Sequence, residues 1–196
     1  MSNRYNTTVT IAVAGALSFV IMIFEFALPV FPPFLRLDFS DIPALLVGFS
    51  LGPGPGLMVV AIRNFLHLAI SATMGVGELA NFIISGSLVL SASYLYLRWQ
   101  RAVPGLIVGS LVMVFMAVMT NLYLIIPLYE RVLNLPLEEI LTAAREVNPH
   151  VESPATYLIF VIVPFNLLKA TAVSLLFLPV YRRIKESKTY KSMQRS

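Results

Sequence analysis

A bundle of six membrane-spanning helices with both ends on the cytoplasmic side is the fold that the sequence predicts, on three observations. Of the 196 residues, 58% are hydrophobic and only 12% are charged, far from the average of about half apolar and a quarter charged in soluble domains. Apolar stretches long enough to cross or enter a bilayer recur along the chain, separated by turns and two longer loops. Lysine and arginine fall unequally on the two sides that these stretches define. Arg4, Arg98, Arg101 and six basic residues of the tail lie on one side, and Arg36, Arg131 and Arg145 on the other, so nine against three places both termini in the cytoplasm.

Residues 8–28 form the first span, with Ala12, Ala14, Gly15, Ala16 and Ser18 in its first half, and Ala12 and Ala16 make a small-xxx-small face suited to close helix contact. The few residues ahead of it carry a single arginine and no convincing cleavage site, so a retained helix is expected rather than a signal peptide. Residues 29–40 are too broken by Pro29, Pro32 and Pro33 to span, and their aromatic side chains suit an outer loop lying over the bundle as a lid. Residues 41–51 make a short second helix, capped by Ser40 or Asp41 and carrying Pro43 in its first turn. The Gly52–Gly56 run reads as a tight turn. It has no Gly-Lys-Ser/Thr continuation, so any nucleotide hydrolysis belongs to another protein.

Span three, residues 55–72, is interrupted by Arg63, Asn64 and His67. Span four, residues 78–97, begins with Glu78 and Asn81 on one face and ends at an expected aromatic belt of Tyr94, Tyr96 and Trp99. Span five, residues 103–126, has Thr120-Asn121 near its far end. The outer loop 127–155 follows, with Leu137, Ile140, Leu141 and Ala144 at the spacing of a short amphipathic helix stopped near Asn148-Pro149.

Span six, residues 156–181, holds the most informative residue. Between Tyr157 and Tyr181 only Asn166 and Lys169 are strongly polar, and at ~1.5 Å per residue the run is roughly 36 Å long, with Lys169 near its middle. That depth exceeds the reach of a snorkelling side chain, so the ammonium needs a buried partner or a ligand. Asn166 lies one turn earlier on the same face. The alternative is a structural lysine paired with a carboxylate such as Glu78. On the ligand reading, removing Lys169 should cost binding far more than folding. With Asn81, Asn121 and Glu78 toward the same outer side, the polar groups predict a pocket opening outward.

The absence of cysteine removes thiolate chemistry and disulfides, and two histidines 83 positions apart are weak support for a metal. No nucleophile stands at motif spacing from a base, which counts against the competing class of a small intramembrane enzyme using Glu78, His67 or Lys169. A purely structural subunit, whose polar residues merely pack, is the third class.

Phe34-Leu35-Arg36-Leu37-Asp38-Phe39-Ser40-Asp41-Ile42-Pro43, Gly77-Glu78-Leu79-Ala80-Asn81-Phe82, Asn121 before the outer loop, and Phe165-Asn166-Leu167-Leu168-Lys169 resemble the substrate-binding S components of energy-coupling-factor (ECF) transporters, specifically the riboflavin-binding members. The resemblance covers essentially the whole chain. It implies a multi-pass protein of the cell's inner membrane with no catalytic activity, no metal and no cofactor, riboflavin being the transported ligand. It also implies an ECF transmembrane coupling subunit and two ATPase subunits as partners, docking at Ala12, Gly15 and Ala16. The implied vitamin contacts are Lys169, Asn166, Asn121, Asn81, Glu78, Leu37, Asp38, Phe39 and Tyr123. Asparagine amides match the imide-like edge of isoalloxazine, and Phe31, Phe34, Phe39 and Tyr123 suit apolar walls. A buried lysine disfavours a cationic vitamin; on charge alone it suits folate or biotin as well as riboflavin.

Overall fold

In the computed structural model, which describes residues 2–186, nearly every apolar stretch is helical. Helix α1 (Ser2–Ile23) leads to a small antiparallel ribbon, β1 (Phe26–Ala27) and β2 (Arg36–Leu37). Helices α2 (Asp41–Leu51), α3 (Pro53–His67), α4 (Val76–Trp99), α5 (Ala102–Thr120), α6 (Ile126–Val132), α7 (Leu137–Val147), α8 (Pro154–Tyr157) and α9 (Val163–Lys185) follow. Among the described residues, five continuous helical stretches are long and apolar enough to cross a membrane: Asn6–Ile23, Pro53–Ile70, Val76–Trp99, Ala102–Val132 and Pro154–Lys185. Helix α2 is apolar but has 11 residues. The side chain of Arg4, and Lys188, Lys191 and Arg195, lie outside the described residues.

Several boundaries differ from expectation for local reasons. Helix α1 stops at Ile23 rather than near residue 28, because Phe26 pairs with Leu37 and Ala27 with Arg36 in the ribbon. The expected lid is therefore the connection of a hairpin whose base is tied by backbone hydrogen bonds. The expected Gly52–Gly56 turn contracts to Gly52 alone. Its φ of 110° needs a glycine, and Pro53 then starts α3 at the position where the missing N–H costs nothing.

Pro127, where the outer loop is expected to begin, does not end its helix, and Pro164 inside span six does not break its own. Pro127 and Pro164 each follow a five-residue π-helical turn, Asn121–Ile125 and Leu158–Ile162, so the helices run on through them. A proline lacks the N–H that would bond one turn back, and a wider turn just ahead lets the chain accommodate that loss without breaking. Both π turns adjoin the asparagines that the sequence marks: Asn121 opens the first, and Asn166 stands four residues after the second.

The core has two parts. One packs α2, α3, α4 and α9 around Ala44, Leu45, Phe49, Tyr96 and Phe177. Tyr96, expected in an aromatic belt, is buried there, its ring stacked 4.3 Å from Phe49, whereas Tyr94 and Trp99 are exposed. The other joins Ile84, Leu88, Met113 and Ile162 to Ile140, Leu141 and Ala144 of α7, which lays its apolar face on the bundle. Beside this second core lies a cavity, which Ile84 and Met113 also line.

Candidate ligand-binding cavity

The cavity measures about 510 Å³, within the range of small-molecule sites. The hairpin contributes Pro33, Phe34 and Leu35 from its connection and Arg36 from β2, and the helices contribute His67, Glu78, Asn81, Asn121, Asn166 and Lys169. Five of the nine residues expected to contact a ligand thus converge: Glu78, Asn81, Asn121, Asn166 and Lys169. The other four do not line it. Leu37 is buried within the ribbon, and Phe39 packs into the first core with its ring 6.4 Å from Phe26. Tyr123 is 73% exposed, because it stands two residues from Asn121 and so projects from another side of the helix.

Asp38 also lies outside the lining, and it settles what Lys169 bonds to. The Lys169 ammonium donates to Asp38 Oδ2 at 2.7 Å, with both residues buried, so the partner is a loop aspartate rather than Glu78. Burial favours the neutral Asp38 carboxyl, but the Lys169 and Arg63 charges and the hydrogen bonds from Lys169 and Ser40 outweigh it and hold the group well below the usual carboxylate range. Ser40 donates to the same carboxylate through its backbone N–H, at 2.8 Å, and through its hydroxyl.

Glu78 is saturated within its own neighbourhood. His67 Nδ1 lies 2.8 Å from Oε1, and Ser71 and Thr73 hydroxyls donate to Oε2 at 2.8 and 3.2 Å. Asn121 and Asn166 each donate from Nδ2 to the carbonyl four residues back, Ala117 and Ile162, at 2.9 Å. A carbonyl cannot donate, so these bonds fix both amide orientations and leave the two Oδ1 atoms as acceptors without a partner among the described residues. At the rim, Arg36 Nε approaches Glu25 Oε1 at 3.5 Å. Burial raises the Glu25 carboxyl above its ordinary range, against the lowering pull of His67 and Arg36. Phe31 packs edge-on against Phe165 at 5.3 Å and anchors the hairpin connection to α9.

Arg63 is the residue that sequence reasoning undervalued. It is fully buried and donates to Ser40 Oγ and Asp41 Oδ1, both at 2.6 Å, and to Asn81 Oδ1 at 2.8 Å. Asp41, expected as a helix cap, is instead its ion-pair partner and also accepts from Ser85 at 3.2 Å. A charge deep in a span requires a partner, and Arg63 is such a charge as much as Lys169 is.

The expected docking face divides. Ala12 and Ala16 are exposed on α1, among exposed Val9, Val13 and Leu17. Gly15 faces inward, where a Cβ would meet Ile62 at 2.7 Å, so it packs α1 on α3 and does not belong to that face.

Comparison with known proteins places the chain. Residues 6–181 match the family model described as ECF transporter, substrate-specific component. The chain is 32% identical over 179 residues to the riboflavin transporter RibU of Staphylococcus aureus, covering 90% of this chain and 88% of that one. It is 28% identical over 185 residues to the riboflavin transporter FmnP of Bacillus subtilis, covering 90% of each. A solved structure, described as the S component of a bacterial ECF transporter, superposes with a TM-score of 0.73 at 29% identity, covering 92% of this chain and 96% of that one. These are transport proteins, which removes the intramembrane-enzyme alternative. The chain belongs to the family of substrate-specific components of ECF transporters.

Proposed function

We propose that this chain captures riboflavin on the outer side of the cytoplasmic membrane and hands it inward as the S component of an ECF importer. The observation that carries the reading is the convergence of Asn81, Asn121, Asn166 and Lys169 on one cavity of about 510 Å³, in a chain whose relatives are riboflavin transporters. The isoalloxazine edge alternates acceptors and a donor, and the ribityl chain adds hydroxyls, so three amides of fixed orientation supply the complementary set. Folate and biotin carry carboxylates that would need a free cation, whereas the Lys169 ammonium is already engaged by Asp38. That pairing favours a neutral ligand.

Six spans with both termini cytoplasmic, α2 being the shortest, set the cavity toward the outer face beneath the hairpin connection. Uptake energy comes from a coupling subunit and two ATPase subunits, since this chain has no nucleotide-binding loop. The exposed Ala12 and Ala16 face is where the coupling subunit docks. Purification in detergent tests the ligand: the protein should carry a flavin absorbance or gain thermal stability on adding riboflavin. A colourless protein unaffected by riboflavin but stabilised by folate or biotin would refute the flavin assignment.

A further inference from the structure

Arg63 does not line the cavity, yet it touches a residue that does. We propose that Arg63 is a positioning residue for ligand recognition: it locks the Asn81 side chain with its carbonyl turned onto the guanidinium, so that Asn81 offers the ligand hydrogen-bond donors only. The inference deepens the riboflavin reading and rests on it for the identity of the ligand.

The orientation follows from chemistry. A guanidinium has no acceptor, so the Asn81 atom 2.8 Å from Nη2 of Arg63 must be the amide oxygen. Asn64 Nδ2 lies 3.4 Å from the same oxygen, which reinforces the assignment. The Nδ2 of Asn81 has no hydrogen bond among the described residues and belongs to a side chain that lines the cavity. Asn121 and Asn166 have the opposite polarity, their amides bound to helix carbonyls and their oxygens unengaged. The cavity therefore presents one amide as donor and two as acceptors, and only the donor is set by a distant side chain rather than by its own helix. Arg63 is in turn held by Asp41 Oδ1 and Ser40 Oγ, so its fork cannot swing away from Asn81. On this account a carbonyl or ring-nitrogen acceptor of the flavin faces Asn81.

Riboflavin titration of purified protein tests this through coupling. Arg63→Lys keeps a cation for Asp41 but loses the planar fork, and should weaken binding about tenfold. In an Asn81→Ala background the same change should alter affinity by less than about twofold, because the group it positions is gone. Equal losses in both backgrounds would make Arg63 a scaffold residue and overturn the proposal. Asn81→Asp tests the donor without touching Arg63: it keeps an acceptor for the guanidinium and should lose affinity at least as far as Asn81→Ala. Unchanged riboflavin affinity in Asn81→Asp would also overturn the proposal. If the unaltered protein binds no riboflavin, the flavin reading fails by itself. The Asn81 side-chain ¹⁵N–¹H₂ resonances of the ligand-free protein then decide: they should move in Arg63→Lys while those of Asn121 and Asn166 stay, and unmoved Asn81 signals would refute the lock.

Discussion

Replacing Lys169 by alanine separates the two roles that the cavity gives it, and the structure reverses the effect on stability that its position alone implies. A lone deep ammonium would be relieved by removal, but here removal strands the Asp38 carboxylate, which is 2% exposed. Breaking a buried ion pair in this way costs about 3–5 kcal/mol, against a much smaller cost for neutralising both partners. Asp38 keeps two bonds from Ser40 and the nearby charge of Arg63, which favours the lower end of that range. For a chain of this size the loss corresponds to a melting temperature lower by about 6–20 °C. Lys169→Ala should therefore lose both stability and riboflavin affinity, the latter roughly 10–100-fold. Lys169→Ala with Asp38→Asn should recover most of the melting temperature and none of the affinity. Thermal melts and ligand titration on the three proteins decide the matter. A single variant as stable as the unaltered protein, or a double variant as unstable as the single, would refute the paired geometry.

Acidification gives a second test. Asp38 has a folded value depressed below its ordinary 3.8, so its stabilisation is fully present above that value and is lost as pH falls below it. The acid-induced fall in melting temperature below about pH 4 should be shallower in Asp38→Asn than in the unaltered protein. Glu25 has the opposite sign: its folded value is raised above 4.5, its stabilising share is greatest at low pH, and Glu25→Gln should raise the melting temperature slightly at pH 7. Ala12→Trp and Ala16→Trp should leave riboflavin affinity within about twofold while abolishing co-purification with the coupling subunit and uptake; normal uptake in both would remove the docking face. Gly15→Leu should instead lower the melting temperature, because its side chain drives into Ile62. Backbone exchange at residues 35–39 should slow when riboflavin is added; equal exchange with and without it would mean that the hairpin connection is not a lid.

Much of this protein is determined by local properties of the chain. Hydrophobicity accumulates residue by residue, so the apolar helices and the deep placement of Lys169 are legible without coordinates. The period of a helix places Asn166 with Lys169, and Glu78 with Asn81, and it also turns Tyr123 away from Asn121. What a buried charge pairs with is a different kind of fact. Lys169 meets Asp38 across 131 positions, and Arg63 meets Asp41 and Asn81 across 22 and 18. Nothing local distinguishes Asp38 from Glu78 as a partner; only the hairpin, by stopping α1 at Ile23 and pairing Ala27 with Arg36, carries Asp38 to the bundle. The tertiary structure likewise decides that Gly15 packs inward while Ala12 and Ala16 remain exposed, because packing depends on which neighbour arrives and not on side-chain size.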